Sequence, residues 1–399
     1  MISSYKFDRL EFAGSLGDLG TLLPLAIGLI LINGLSPTGL FISVGLLYIL
    51  SGSYYGVPVP VQPMKVIGAY SIATAMTASQ ITASGLLIGV ILLAIGATGA
   101  ITFIGRFIPK SVVRGVQLST GTLLMVQGIK LMLGSSKLQL LQQSAEPFLV
   151  HDSLGPLPIG IIIGTAGGLL TLLLLDNKKI PAGLVVVSGG LALGLLFGDH
   201  KTLNTIKPGI YFPQFLPFGW PNRADFTYAL FALVLPQIPM TLGNAVIAYA
   251  DLSKDYFGKH SGKVTYPAAC ITMGLANLVS SFAGGMPLCH GAGGLAAHYR
   301  FGARTGGSNL IIGIIFILLA IFLGPHTVSA VNLIPLSVLG VLLLFAGSQL
   351  GLTIIDLEGR KEYFVILVIL GITLAANLAA GFIVGVAVAH ILSMERFEV

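Results

Sequence analysis

Val57-Pro58-Val59-Pro60-Val61-Gln62-Pro63-Met64-Lys65 is the stretch on which the reading of this sequence turns. Its prolines cannot occupy a helix interior, because each lacks an N–H and pushes its predecessor towards extended backbone. The alternating Val-Pro pairs predict an extended segment, and Pro63 suits the first turn of a helix that follows it. The flanking sequence is apolar enough to lie in a membrane, so that helix starts at mid-depth. Such a half-helix turns free N–H groups and the positive end of its dipole into the protein, which favours an anion. Gln62 adds neutral donors there, and Lys65 is the one basic residue buried within a predicted span, the others lying in loops or at span ends. The other reading of Lys65 is an ammonium that snorkels to the interface.

Gly284-Gly285-Met286-Pro287-Leu288-Cys289-His290-Gly291-Ala292-Gly293-Gly294 has the same character. Its glycines let backbone N–H groups approach a ligand without Cβ obstruction. Pro287 opens a short span as Pro63 does, so two half-helices of opposite direction are expected to aim their N-termini at one midplane point. His290 either donates to an anion or is a packed structural residue. Metal-ligand spacing is lacking around Cys289 and His290, so neither metal nor cofactor is expected.

Composition supports a membrane setting. Of 399 residues, 55% are hydrophobic and only 9% charged, against roughly 25% charged in a soluble domain. That excludes a soluble protein, and disorder with it. The net charge of +6 is spread in ones and twos, which is unlike a nucleic-acid face. Cys270 and Cys289 lie in apolar sequence and form no disulfide framework.

With about 20 apolar residues needed per crossing, fourteen spans are expected: 15–33, 38–55, 60–77, 82–105, 112–133, 157–175, 181–198, 226–250, 264–282, 288–302, 308–324, 330–350, 361–376 and 378–394. With the N-terminus inside, fifteen Lys and Arg fall on the cytoplasmic side, among them Arg106, Arg114, Lys178, Lys179, Arg300 and Arg396. Four fall outside: Lys137, Lys201, Lys207 and Arg223. That asymmetry obeys the positive-inside rule and would collapse if one span were missed. Both termini are therefore expected in the cytoplasm. Fourteen is two sevens, and an odd-numbered unit repeated in tandem must invert. Gly121, Leu124 and Gly128 match Gly340, Leu343 and Gly347 at an offset of 219. The fold class is thus an all-α polytopic membrane protein with a 7+7 inverted repeat, its third and tenth half-helices preceded by short extended segments. The long outer loop carries Tyr211, Phe212, Phe215, Phe218 and Trp220, an interfacial aromatic belt.

Two further spans are interrupted by polar residues. The first holds Asp18 within Gly14-Ser15-Leu16-Gly17-Asp18-Leu19-Gly20-Thr21, and the eighth holds Pro236, Gln237, Pro239, Thr241 and Asn244. Buried amides and carboxylates must face protein or a polar cavity. Asp18 reads either as a structural cap or as a binder of a proton or cation.

Together with Leu235-Pro236-Gln237-Ile238-Pro239-Met240-Thr241-Leu242-Gly243-Asn244-Ala245 and His298-Tyr299-Arg300-Phe301-Gly302-Ala303-Arg304-Thr305-Gly306, these strings resemble the molybdate transporter family, a branch of the sulfate permease superfamily. The resemblance runs over almost the whole chain. It implies a core domain from 1–105 and 226–324 and a gate domain from 106–200 and 325–399, with an extracellular linker at 201–225. It implies a substrate between the facing ends of spans three and ten. Only Ser393 to Val399 follow the last span, so the STAS domain of wider relatives is not expected.

The expected substrate-binding residues are Gln62, Met64, Lys65, Gln237, Thr241, Asn244, Cys289, His290 and Gly291, with Asp18 as the ion-coupling residue. Two helix N-termini at roughly +0.5 each plus Lys65 balance a dianion. The expected activity is import of a tetrahedral oxyanion, molybdate before sulfate, with a co-transported proton or sodium. A homodimer embedded in lipid is the expected assembly. An anion channel and a nucleobase or dicarboxylate permease are the alternatives. No span offers the nucleophile–base pair of an enzyme.

Overall fold

The computed structural model describes residues 5–101, 109–151, 153–175, 177, 182–198 and 207–394. Arg106, Lys178, Lys179, Lys201 and Arg396, used above to orient the chain, lie outside the described residues. Helices dominate: α1 (Arg9–Ser15), α2 (Leu19–Leu31), α3 (Pro37–Tyr55), α4 (Lys65–Thr74), α5 (Ala78–Thr98), α6 (Lys110–Met132), α7 (Lys137–Gln142), α8 (Ile159–Leu174) and α9 (Ala182–Phe197) in the first half. The second half holds α10 (Arg223–Ser261), then α11 (Tyr266–Phe282), α12 (Ala292–Arg300), α13 (Gly307–Leu323), α14 (Thr327–Val331), α15 (Leu336–Gly351), α16 (Arg360–Ala375) and α17 (Leu378–Ser393). Among the described residues, six helical stretches are long and apolar enough to cross a membrane unaided, with α1 and α2 (Arg9–Leu31) and α13 and α14 (Gly307–Val331) each taken as one. Large apolar side chains such as Leu173, Leu196 and Leu367 face outward, as lipid contact requires. The protein is an integral, multi-pass membrane protein.

The expected interruptions are present, but not all in the expected form. Leu16, Gly17 and Asp18 separate α1 from α2. In the eighth span, by contrast, the prolines do not break the helix. α10 runs continuously for 39 residues, with π-helical stretches at Leu230–Val234 and Thr241–Ala248 on either side of Leu235–Met240. Adding a residue to a turn accommodates a proline that cannot donate to the ladder.

α4 and α12 have 10 and 9 residues, about 15 Å each at 1.5 Å per residue, half of a bilayer core. Each follows extended chain. β1 (Gln62–Pro63) pairs antiparallel with a strand at Leu288–Cys289, in the register Gln62 with Cys289 and Pro63 with Leu288. Because the strands run in opposite directions, the helices leave the crossing in opposite directions.

Two residues are too few to hold such a crossing, and asparagines extend it. Asn309 of α13 accepts from Val59 N at 2.9 Å and donates to Val59 O at 2.7 Å. Asn277 of α11 does the same for Leu288, at 2.9 and 2.8 Å. Each amide stands in for the missing neighbouring strand, satisfying backbone groups that would be costly if orphaned in a membrane interior.

Helices pack closely where glycines face each other. A Cβ on Gly121 would lie 2.5 Å from Gly347 O, and one on Gly347 equally close to Gly121 O. Gly128 and Gly340 repeat this reciprocal contact along the α6–α15 seam, the small-residue packing typical of membrane helices. The linker from residue 207 lies along helix ends, with Tyr211 N bonded to Ile321 O and Leu216 N to Phe282 O. Phe212, Phe215 and Trp220 are exposed there.

Candidate functional site

The half-helices start close together, but their first turns are treated differently. At α4, the Oε1 atom of Gln237 accepts from Val66 N at 2.9 Å and from Ile67 N at 3.2 Å. Its Nε2 donates to Thr241 Oγ1 at 2.9 Å. Gln237 and Thr241 are both buried. They form an internal cap supplied by α10, so these two N–H groups of α4 are already occupied.

Among the described residues no side chain bonds to the first-turn N–H groups of α12, whose N-cap is Gly291. Its first turn lies against Gln62 and Asp18. A Cβ on Gly291 would overlap Gln62 Oε1, and one on Gly294 would overlap Asp18 Oδ2 and Gln62 Nε2. Gln62 Nε2 donates to Asp18 Oδ1 at 2.7 Å. Both residues are nearly inaccessible, and among the described residues Asp18 Oδ2 and Gln62 Oε1 have no hydrogen-bond partner. Asp18 sits in the break before α2 and makes no side-chain cap of that helix.

A cavity of 640 Å³ reaches this junction. Lys65, Thr21, Asn244 and Gly293 line it together with Leu124, Thr171 and Phe345, and Arg114 and Arg300 are also on its wall. A second cavity of 280 Å³ shares Arg114, Gln117 and Asn244 with it and adds Lys110. The Arg114 guanidinium is held by Asp356 through Nε at 2.9 Å and through Nη2, and by Gln117 at 2.8 Å. Lys110 bridges the same carboxylate at 3.0 Å. The cavity is thus lined by basic groups at fixed positions.

Of the expected binding residues, Lys65 and Asn244 reach the cavity. Gly291 and Gln62 support the turn that does so. The others hold the frame. Met64 is fully buried, with its N–H bonded to Pro287 O at 2.9 Å. Cys289 is buried in the strand crossing, its Sγ 3.8 Å from Pro63 O. His290 is buried and saturated, with Nδ1 2.9 Å from Pro60 O and Nε2 3.0 Å from Thr272 Oγ1. A carbonyl can only accept, so Nδ1 carries the proton and Nε2 accepts from Thr272. Thr272 in turn pairs with the Tyr55 hydroxyl at 3.0 Å. His290 is a strut across α3, α11 and the extended chain.

Sequence reasoning missed Gly293 and Thr21 as cavity residues, although both stand in the quoted strings. It also missed Asn277 and Asn309, which are far in sequence from what they hold. Among the described residues, no group of three His, Cys, Asp or Glu side chains is placed to share a metal ion.

A family profile described as a molybdate transporter of the MFS superfamily matches residues 10–124 and 229–350. Molybdate transporter 2 of Arabidopsis thaliana is 34% identical over 97% of this chain and 88% of its own length. Molybdate transporter 1 of the same plant is 30% identical over 97% and 89%. Molybdate transporter 1 of Chlamydomonas reinhardtii is 28% identical over 96% and 92%. Among solved structures, the transmembrane domain of a cyanobacterium bicarbonate transporter, BicA, matches with a TM-score of 0.65 and 15% identity, covering 97% of both chains. The murine anion transporter Slc26a9, in an inward-facing state, matches with a TM-score of 0.70 and 16% identity over 99% of this chain and 70% of that one. At such identities these two establish a common fold.

Proposed function

The chain belongs to the molybdate transporter family, and from that premise we propose that it imports molybdate as a secondary active transporter, with the oxyanion held where the cavity meets α12. The observation that carries this reading is that Lys65, Asn244 and Gly293 line the same cavity. A dianion there is faced by an ammonium, an amide and an uncapped helix N-terminus, the groups that compensate charge away from water. Sulfate shares molybdate's shape and charge and is the second substrate in this reading; the names of the relatives favour molybdate.

The mechanism proposed is alternating access of a core domain, residues 1–105 and 226–324, against a gate domain, 106–200 and 325–399, joined by an extracellular linker at 201–225. Lys65, Asn244 and Gly293 fall in the core and Leu124, Thr171 and Phe345 in the gate, so the cavity lies where such domains would slide. Fourteen spans in an inverted 7+7 repeat are supported by exchanged contacts. An offset of 219 turns the pair Gly121–Gly347 into Gly340–Gly128, and both pairs touch. Gly45 against Gly313 has a counterpart in Gly89 against Gly274.

By the positive-inside rule, Arg114 and Arg300 mark the cytoplasmic side, which makes the cavity inward-facing and puts both termini in the cytoplasm of a plasma membrane. A homodimer with lipid around it is the assembly proposed. Inward movement of an anion opposes a negative-inside potential by ~2.3 kcal/mol per charge per 100 mV, so a co-transported proton or sodium is part of the proposal, with Asp18 as its binder. The test is equilibrium binding of molybdate and sulfate to the purified protein, alongside Lys65→Ala. Micromolar binding that Lys65→Ala weakens supports the reading. No binding of either oxyanion by the wild type would end it.

A further inference from the structure

A groove of 260 Å³, apart from the transport cavity, runs between α3 and α11. We propose that it binds an anionic phospholipid of the cytoplasmic leaflet. Leu46, Leu47, Leu50, Leu275, Ala276 and Val279 give it apolar walls, and Leu50, Leu275 and Val279 are exposed. Ser43, Ser51 and Thr272 also line it, but their hydroxyls are bonded within the protein. Ser43 Oγ donates to Gly39 O at 2.7 Å and Ser51 Oγ to Leu47 O at 2.5 Å. Thr272 Oγ1 is held between His290 Nε2 and the Tyr55 hydroxyl, each at 3.0 Å. With these groups satisfied, the walls suit a hydrocarbon chain and would leave a polar ligand without partners.

Length and charge specify the occupant. From Ser43 to Tyr54 the helix rises about 16 Å at 1.5 Å per residue, half of a hydrocarbon core of ~30 Å. The groove therefore has the reach of an acyl chain in one leaflet. Tyr54 lines its end, and Lys263 Nζ stands over the Tyr54 ring, 5.3 Å from its centroid. Tyrosine and lysine at a helix end sit at headgroup level, and the topology above puts this end in the cytoplasmic leaflet. Among the described residues Lys263 has no ion pair with a carboxylate. Asp251, on the preceding helix, accepts from the Tyr266 hydroxyl at 2.8 Å. An anionic headgroup supplies the counter-charge that Lys263 lacks, whereas a zwitterionic one brings its own cation to the same place. The bound chain lies against Thr272, one hydrogen bond from the His290 strut that braces Pro60.

The test is tryptophan quenching by brominated lipids, which requires contact with the acyl chain. The chain's one tryptophan, Trp220, is removed as Trp220→Phe, and Leu50→Trp places the reporter on the groove wall. The full-length protein is reconstituted in phosphatidylcholine vesicles containing equal small fractions of brominated phosphatidylglycerol or brominated phosphatidylcholine. Phosphatidylglycerol is expected to occupy the groove about fivefold more strongly. Adding Lys263→Gln should bring that preference close to one while quenching by phosphatidylcholine persists, which shows the groove intact. Leu367→Trp, on the outward face of α16, should show little preference. Equal quenching by the two headgroups at Leu50→Trp overturns the inference, as does a preference that Lys263→Gln leaves unchanged. An equal preference at Leu367→Trp overturns it too, by showing general surface attraction. No quenching by either lipid means that protein covers the groove, and also overturns it. None of these measurements uses molybdate, so the transport reading stands whichever way they fall.

Discussion

α4 and α12 are near-equal half-helices that start from paired strands, yet they offer a ligand different things. At α4 the backbone is occupied, because Gln237 takes the Val66 and Ile67 N–H groups. Its contribution to the cavity is a side chain, Lys65. At α12 no side chain among the described residues caps the helix, and Gly293 in the first turn lines the cavity. One half thus supplies a formal charge and the other backbone dipoles. Two similar half-helices need not offer a ligand the same groups, since one glutamine on a neighbouring helix is enough to close one end.

Four substitutions test that division. The largest effect is expected from Lys65→Ala. Removing one partner of a poorly hydrated charge pair costs about 2–5 kcal/mol, so molybdate affinity should fall by roughly 30-fold or more. Calorimetry on the purified variant measures it, and an unchanged Kd would remove Lys65 from the site.

Next comes Gly294→Ala beside Gly293→Ala. The first methyl would strike Asp18 and Gln62, whereas the second meets nothing within 4 Å. Gly294→Ala should abolish uptake in a cellular or liposome assay. Gly293→Ala should fold normally and lose only several-fold in affinity through the methyl on the cavity wall. Equal behaviour of the two would argue against the packing described at α12.

The smallest effect on binding is expected from Gln237→Leu. It orphans two buried N–H groups, at about 1–3 kcal/mol in stability. The thermal midpoint should drop while molybdate affinity stays within about threefold. A large loss of affinity with unchanged stability would mean that Gln237 touches the anion.

The same contrast explains what the sequence revealed. The half-helices were legible because prolines and glycines in apolar sequence have few other uses, and each is a local signal. Asp18, Gln62 and Lys65 stood out because polar groups in a membrane need a reason. The distribution of roles was not legible. Gln237 looked like a ligand residue, but its partner N–H groups are about 170 positions away. His290 looked like a donor, but Pro60 and Thr272 occupy its two ring nitrogens, and Tyr55 in turn holds Thr272. Proline in the eighth span signalled a break, and the helix absorbed it in π turns on either side. Polarity can be read residue by residue, whereas satisfaction of polarity depends on tertiary neighbours.

The most direct test of the central claim is the position of bound molybdate. Anomalous diffraction at the molybdenum edge, from crystals of the protein grown with molybdate, would locate the metal centre of the anion. The account predicts a single strong peak within hydrogen-bonding reach of Lys65 Nζ and the Gly293 N–H, with Gln237 still capping α4. A peak against Val66 and Ile67 with Gln237 displaced, or one away from both half-helices, would contradict it.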